Sequence, residues 1–247
     1  MKTLWHAAFF LSALLSAAPA VASCGPDKLG TARTLTVNAA GGPTFGTKHY
    51  PATLDLQDKE LVLTFDDGPS SATTARVLDA LASECVKATF FLIGRNAAGL
   101  PHIVARTARE GHSIANHTQN HPWTIDKLSH VRGVAEIDDG AASIRRALGG
   151  AGRLEPFVRF PGFVETPALL TEMKQRGIAV FGADVWASDW NPMAPETQLR
   201  LVLQRIEKAR RGIVLFHDTQ PQTAAMIPAF LKELKRRGFH IVHVIGG

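Results

Sequence analysis

Two adjacent carboxylates, Asp66 and Asp67, come directly after an apolar run and before the turn residues Gly68-Pro69. A tight turn at this point can aim both side chains toward one site. The alternative is an aspartate-rich turn in which the side-chain oxygens accept hydrogen bonds from the backbone. The pair alone leaves both interpretations open.

His117 and His121 are four residues apart, a spacing that predicts two imidazoles on one side of a helical turn. Two histidines and one carboxylate form a three-ligand metal site with room for water. Residue 118 is threonine, so the H-E-x-x-H protease motif is absent. Histidine pairs are often structural, but their position after a predicted strand, beside Asn116, favours metal binding.

Three more polar segments follow predicted strands. They are Arg159-Phe160-Pro161-Gly162-Phe163, the segment 184–190 with Trp186, Asp189 and Trp190, and Leu215-Phe216-His217-Asp218. Each has an ordinary explanation as a salt bridge, a buried tryptophan or a capping pair. Their common position at strand ends favours one shared site, since α/β proteins place active sites at the carboxyl ends of strands.

From residue 60 onward, short apolar runs alternate with segments of helical period, which predicts an α/β fold with a parallel sheet. The predicted strands are 61–65, 88–93, 112–116, 157–160, 178–181, 213–216 and 239–244. The predicted helices are 73–82, 103–110, 131–148, 167–176, 197–209 and 224–236. A barrel and a doubly wound sheet both fit this pattern. No nucleotide-binding glycine motif is present.

The N-terminus has the pattern of a signal peptide over residues 1–22, with Lys2, an apolar run and Ala20-Val21-Ala22. An uncleaved membrane anchor is the alternative, but Ser12, Ser16 and Pro19 leave the run short for a membrane span. We therefore expect a periplasmic or secreted protein with no stable span after cleavage. Residues 23–58 are predicted to be an extended lead-in, and residues 59–247 one catalytic domain.

Composition is consistent with one domain, because 247 residues of which 45% are hydrophobic can bury a sizeable core. The net charge of +5 is modest, and the basic clusters lie in helix-like segments, so solvated helix faces are favoured over a nucleic-acid surface. We expect a monomer.

The two cysteines, Cys24 and Cys85, can form one disulfide in an exported protein. The alternative is a lipobox at 21–24, with Cys24 lipidated.

These motifs, in this order, resemble those of the NodB-type polysaccharide deacetylases over about residues 59–245. This carbohydrate esterase family includes chitin, chito-oligosaccharide and peptidoglycan deacetylases. The resemblance implies a distorted (β/α) barrel of fewer than eight strands, in agreement with the seven predicted. It also implies a divalent metal, with zinc the first choice and cobalt, nickel or manganese able to serve.

The resemblance implies a role for each motif residue. Asp67, His117 and His121 correspond to the metal ligands, and Asp66 to the catalytic base held by Arg159. His217 corresponds to the acid, with Asp189 beside it, and the groove residues are Leu215, Trp190 and, by its flat apolar face, Trp186.

The third motif departs from the family pattern Arg-Pro-Pro-Tyr-Gly. Gly162 stands where many members have tyrosine, so its backbone N–H could still stabilise the oxyanion while side-chain contacts with substrate would differ.

The expected function is therefore metal-dependent removal of N-acetyl groups from N-acetylglucosamine-containing oligo- or polysaccharides. Two alternatives are a metal-dependent hydrolase of small N-acyl or cyclic amide compounds and a non-catalytic carbohydrate-binding relative. Acetate release from an acetylated chito-oligosaccharide would distinguish the catalytic hypothesis from the non-catalytic one.

Overall fold

The structure is a computed structural model that describes residues 24–247. The expected signal peptide, residues 1–22, lies outside the described residues. The strands are β1 (Arg33–Val37), β2 (Thr44–Phe45), β3 (Glu60–Asp66), β4 (Thr89–Leu92), β5 (Ser113–Asn116), β6 (Leu154–Val158), β7 (Ala179–Phe181), β8 (Val185–Trp186), β9 (Gly212–His217) and β10 (His240–Gly246). The α-helices are α1 (Thr74–Ser83), α2 (Gly94–Gly99), α3 (Pro101–Arg109), α4 (His130–Leu148), α5 (Pro167–Arg176), α6 (Pro195–Ala209) and α7 (Pro221–Arg236).

All strand pairings in the described chain are parallel, which confirms the predicted α/β class. Neighbouring strands run β1-β10-β3-β4-β5-β6-β7-β2, and β9 pairs with both β3 and β8. The seven predicted strands correspond to β3, β4, β5, β6, β7, β9 and β10. Within residues 24–247 no ladder joins β2 or β7 to β8, so the sheet resembles a distorted barrel that remains open.

The alternation of side chains along β3 decides which residues face the site. Leu61, Leu63 and Phe65 belong to the core between the sheet and its helices. Val62 packs instead in the interior cluster with Phe91. Because successive side chains of a strand point to opposite faces, Thr64 and Asp66 share the interior face of Val62.

Proline fixes where four helices begin. Pro101, Pro167, Pro195 and Pro221 each occupy a first-turn position, where the missing N–H has no intrahelical partner and the restricted φ suits a helix. At the other end, Gly149 follows α4 with a left-handed φ of 53°. These signals explain why most helix limits lie close to the predicted ones.

The segment before residue 59 joins the sheet, which the sequence did not predict. β1 pairs with β10 and β2 pairs with β7, so the predicted extended lead-in contributes strands to the sheet.

A disulfide links Cys24 to Cys85. A sulfur in this bridge cannot also carry the thioether of a lipid. Among the described residues, no helix is both long and apolar enough to cross a membrane.

A buried polar cluster lies at the opposite end of the strands from the aspartates. Ser113 Oγ lies 2.9 Å from His243 Nε2 and donates to the Val244 carbonyl at 2.6 Å. Burial, followed by the charges of His112 and Lys87, lowers the pKa of His243 to about 4. His243 is therefore neutral in the folded protein at pH 7.

We expect this cluster to make the protein less stable in mild acid. Between pH 6.5 and pH 4, the unfolded chain protonates His243 and the folded chain does not. The free energy of unfolding therefore decreases as the pH is lowered through this range. Its contribution between pH 7 and pH 5 is at most about 2 kcal/mol. Urea unfolding in EDTA at both pH values should show a smaller loss in His243→Gln than in wild type or in the exposed-site control His102→Gln. Equal losses would contradict this origin.

Candidate active site

The turn after β3 separates the two aspartates. Asp66 is the last residue of the strand and points to the interior, whereas Asp67 has a left-handed φ of 73°. The side-chain amide of Asn96 donates to the Asp67 carbonyl at 2.8 Å. A Cβ at Gly68 would lie 2.5 Å from an Asp218 carboxylate oxygen, so the turn requires glycine there. The two adjacent aspartates therefore differ in backbone position, with Asp66 in the strand and Asp67 in the turn.

The two histidines meet through an irregular loop, so the predicted helical turn is wrong. His117 follows β5, and its N–H donates to the Leu92 carbonyl at 2.9 Å. Thr118 and His121 have left-handed φ values of 66° and 56°. Pro122 disfavours helical backbone at His121. The imidazoles nevertheless lie edge to face, with ring centroids 4.8 Å apart.

Asp67, His117 and His121 present one ligand atom each, and all three atoms lie within 4.8 Å of one another. Asp67 Oδ1 lies 3.5 Å from His117 Nε2 and 3.3 Å from His121 Nε2. Ligand atoms about 2.1 Å from a tetrahedral zinc ion are about 3.4 Å apart. Asp67 Oδ1 is buried and has no hydrogen-bond partner among the described residues, so these donors fit a divalent metal.

Neighbouring groups keep these three side chains in forms that can bind a metal ion. His117 Nδ1 donates to the Arg159 carbonyl at 2.6 Å, which leaves the Nε2 lone pair toward Asp67. Burial alone would raise the pKa of Asp67, but contact with His117 and the nearby His217 and His121 lower it to about 2. Burial, followed by the nearby His117, lowers the pKa of His121 to about 4. At neutral pH Asp67 is a carboxylate and His121 a neutral imidazole.

Arg159 is fully buried and orients Asp66. Its Nη1 donates to Asp66 Oδ1 at 2.7 Å and to Thr64 Oγ1 at 2.9 Å. Its Nη2 donates to the Gly182 carbonyl at 2.7 Å, and the guanidinium carbon lies 4.2 Å from the centroid of the Phe91 ring. These contacts leave Asp66 Oδ2 facing the candidate metal ligands, 3.7 Å from His117 Nε2.

His217, at the end of β9, is bound to Asp189. Its Nδ1 donates to Asp189 Oδ1 at 2.8 Å, and its backbone N–H donates to Oδ2 at 2.6 Å. Thr223 Oγ1 also donates to Oδ2, at 2.7 Å. Burial would lower the pKa of His217, but the bond to Asp189 and the charges of Asp189, Asp67 and Asp66 raise it to about 9. His217 can therefore donate a proton from Nε2 at neutral pH.

Asp66, His117, His121 and His217 line one pocket of about 460 Å³. All four residues predicted to contact the substrate line it, namely Gly162, Trp186, Trp190 and Leu215. The Trp186 and Trp190 rings contact edge to face at 5.9 Å, and Trp190 is 45% exposed.

A family model for polysaccharide deacetylases matches residues 53–181. The chain belongs to this family. Among curated proteins, a chitooligosaccharide deacetylase of Bradyrhizobium is 33% identical over 74% of this chain and 88% of its own length. A peptidoglycan-N-acetylglucosamine deacetylase of Bacillus cereus is 32% identical over 78% of this chain and 72% of its own length.

Solved structures of family members share the fold. A peptidoglycan deacetylase of Bdellovibrio bacteriovorus superposes with a TM-score of 0.78 at 31% identity, over 87% of this chain. This chain spans 59% of the length of that protein. A family 4 carbohydrate esterase of Streptomyces lividans, solved with acetate, gives a TM-score of 0.63 at 29% identity, over 76% of this chain and 91% of its own.

The sequence did not reveal two aromatic walls of this deacetylase-family pocket. Trp123 is 67% exposed, and its ring lies 4.6 Å from that of His121. Phe163 stacks on His49 at 4.2 Å. Gly162 directly precedes Phe163 and has a φ of 59°. A Cβ at this position would lie 3.1 Å from the Trp123 ring. An aromatic residue directly after His121-Pro122 was the only signal.

We expect the pKa of His217 to depend on Asp189. In the metal-free protein, Asp189→Asn should lower that pKa from about 9 to about 6.5 or below, since burial remains and the charge is lost. The measurement is an NMR titration of the imidazole, with the signal assigned through His217→Gln. The exposed-carboxylate control Asp138→Asn should leave the pKa unchanged. An unchanged pKa in Asp189→Asn would contradict the assigned contact.

Proposed function

We propose that this protein is a metal-dependent hydrolase that removes N-acetyl groups from N-acetylglucosamine-containing oligo- or polysaccharides. The observation that carries the proposal is the meeting of three separate functions in one pocket. Asp66, His117, His121 and His217 line this pocket, and Asp67 contacts both of its histidines. Together they supply a candidate ligand set, a carboxylate and a cationic imidazole. The relatives named as chitooligosaccharide and peptidoglycan deacetylases support the same chemistry.

Amide hydrolysis needs an activated water, a stabilised oxyanion and a proton for the departing amine. A divalent metal bound by the three ligands would polarise the acetyl carbonyl and make water more acidic. Asp66 accepts the proton of the attacking water as general base. Its bond to Arg159 keeps Oδ1 occupied and leaves Oδ2 to face the water.

Two further groups complete the reaction. Gly162 lines the pocket, and its backbone N–H would donate to the oxyanion. His217 gives its Nε2 proton to the amine nitrogen as the C–N bond breaks, and Asp189 stabilises the charged imidazolium that this step requires. The products are acetate and a free amino sugar.

The walls of the pocket suit a sugar ring. Trp186, Trp190 and Trp123 present flat apolar faces around the polar centre. Such faces pack against the C–H surface of a pyranose, while the exposure of Trp123 and Trp190 leaves the pocket open to a chain longer than one sugar.

The metal identity and the cellular setting belong to the same proposal. We propose zinc as the metal, with cobalt, nickel or manganese as substitutes. Residues 1–22 would direct export to the periplasm or medium, residues 23–58 would be the lead-in, and residues 59–247 the catalytic domain. The protein would act as a monomer.

Asp66→Asn should abolish turnover and retain metal binding. Acetate release from acetylated chito-oligosaccharide should fall at least about 100-fold, since asparagine cannot accept the proton. Zinc affinity, measured by competition with a chelating dye, should stay near the wild-type value because Asp66 is not in the ligand set. Asp138→Asn serves as the control and should resemble wild type in both assays.

Two results would count against this proposal. Full activity in Asp66→Asn would remove that residue from the role of base. Release of acetate from small N-acetyl amides by the wild-type protein, with none from the oligosaccharide, would favour a small-molecule amidohydrolase instead.

A further inference from the structure

A second pocket, of about 550 Å³, lies next to the proposed catalytic pocket. Trp186 lines both. The other walls of the second pocket come from the β2–β3 connection, β8 and the end of α6, and include Lys48, Asp184, Arg205 and Lys208. A ligand crossing the Trp186 ring would therefore pass from one pocket into the other.

The second pocket carries an excess of positive charge. Lys48 and Lys208 are exposed, and within the described residues neither ammonium group lies within 4.0 Å of a carboxylate. Asp184 is the acidic residue of the lining. Its oxygens accept four hydrogen bonds, from the N–H and hydroxyl of Thr47, the Thr53 hydroxyl and the Ile213 N–H. The lysines therefore remain free to meet an anion from outside.

The chain holds this pocket in a defined relation to the catalytic pocket. Arg205 Nη1 donates at 2.6 Å to both the Trp186 carbonyl and Ser188 Oγ. Lys48 Nζ lies 5.6 Å from the centroid of the Trp186 ring. Trp186 thus presents an indole between an aromatic catalytic pocket and a set of cations.

We propose that the second pocket, referred to here as the basic pocket, is a subsite for a carboxylate on the substrate glycan. With one N-acetyl sugar in the catalytic pocket, a carboxylate on a neighbouring unit would reach Lys48, Lys208 and Arg205. Exposed ion pairs are individually weak, so the subsite selects among acetylated glycans without governing turnover. The preferred substrates would be acidic acetylated glycans, and neutral ones would gain nothing from it. This inference rests on the proposed function.

In peptidoglycan the carboxylate could come from two sources, the lactyl group of the alternate sugar or an attached peptide. The experiment compares acetate release from four glycans by the metal-loaded full chain. They are a neutral acetylated chito-oligosaccharide, peptide-free peptidoglycan strands, the same strands after amidation of their carboxylates, and peptide-bearing strands. The two sources give separate results because only the last carries stem carboxylates.

The test variant is the double substitution Lys48→Gln/Lys208→Gln. KM for one or both carboxylate-bearing glycans should rise about threefold to tenfold, with kcat preserved. KM for the neutral and amidated glycans should not change. Added salt should raise the wild-type KM for the acidic glycans and have less effect on the variant. The matched control Lys174→Gln/Lys232→Gln removes the same charge from exposed helix positions away from the basic pocket and should resemble wild type.

Equal effects on acidic and neutral glycans, or no effect on either, would overturn the subsite. An equal effect of the control pair would assign the change to overall charge and also overturn it. Absence of acetate from all four glycans with wild-type protein would instead overturn the proposed function, and the subsite with it.

Discussion

The buried guanidinium of Arg159 connects most of the polar centre. Its side chain donates to Asp66 Oδ1 and Thr64 Oγ1, while its own carbonyl accepts from His117 Nδ1. A fully buried cation is costly unless it is paired and hydrogen-bonded, and here Nε, Nη1 and Nη2 all have acceptors. One residue therefore sets the orientation of the proposed base and of one metal ligand, which explains why two functions on different strands share a common geometry.

The parallel sheet brings side chains from distant parts of the sequence to the same site. β3, β5 and β9 end at the same edge, so Asp66, His117 and His217 converge although 151 positions separate the first from the last. Asp189 extends this arrangement because it holds both the ring and the backbone N–H of His217. The negative charges of the aspartates and the positive charge of His217 stabilise each other. The aspartates help raise the pKa of His217, and His217 helps lower that of Asp67.

The sequence predicted what depends on local pattern. The seven main strands, the long helices and the polar residues at strand ends follow from apolar runs, helical period and turn residues. It missed β1, β2, β8 and α2, which have five, two, two and six residues and depend on tertiary partners for their pairing or packing. It gave the wrong conformation for 117–121 because the left-handed residues Thr118 and His121 are not the glycines that usually mark such backbone. Trp123 was missed because only the loop path brings its ring onto His121.

We propose that Asp67, His117 and His121 would hold one divalent ion next to Asp66 and His217 of the same site. An anomalous-difference map from crystals loaded with zinc tests it most directly. We predict a single strong peak about 2.0–2.2 Å from one Asp67 carboxylate oxygen and from Nε2 of both histidines, with neither Asp66 nor His217 coordinated. An ion bound by a different residue set, or a loaded crystal with no peak between these three side chains, would contradict the account.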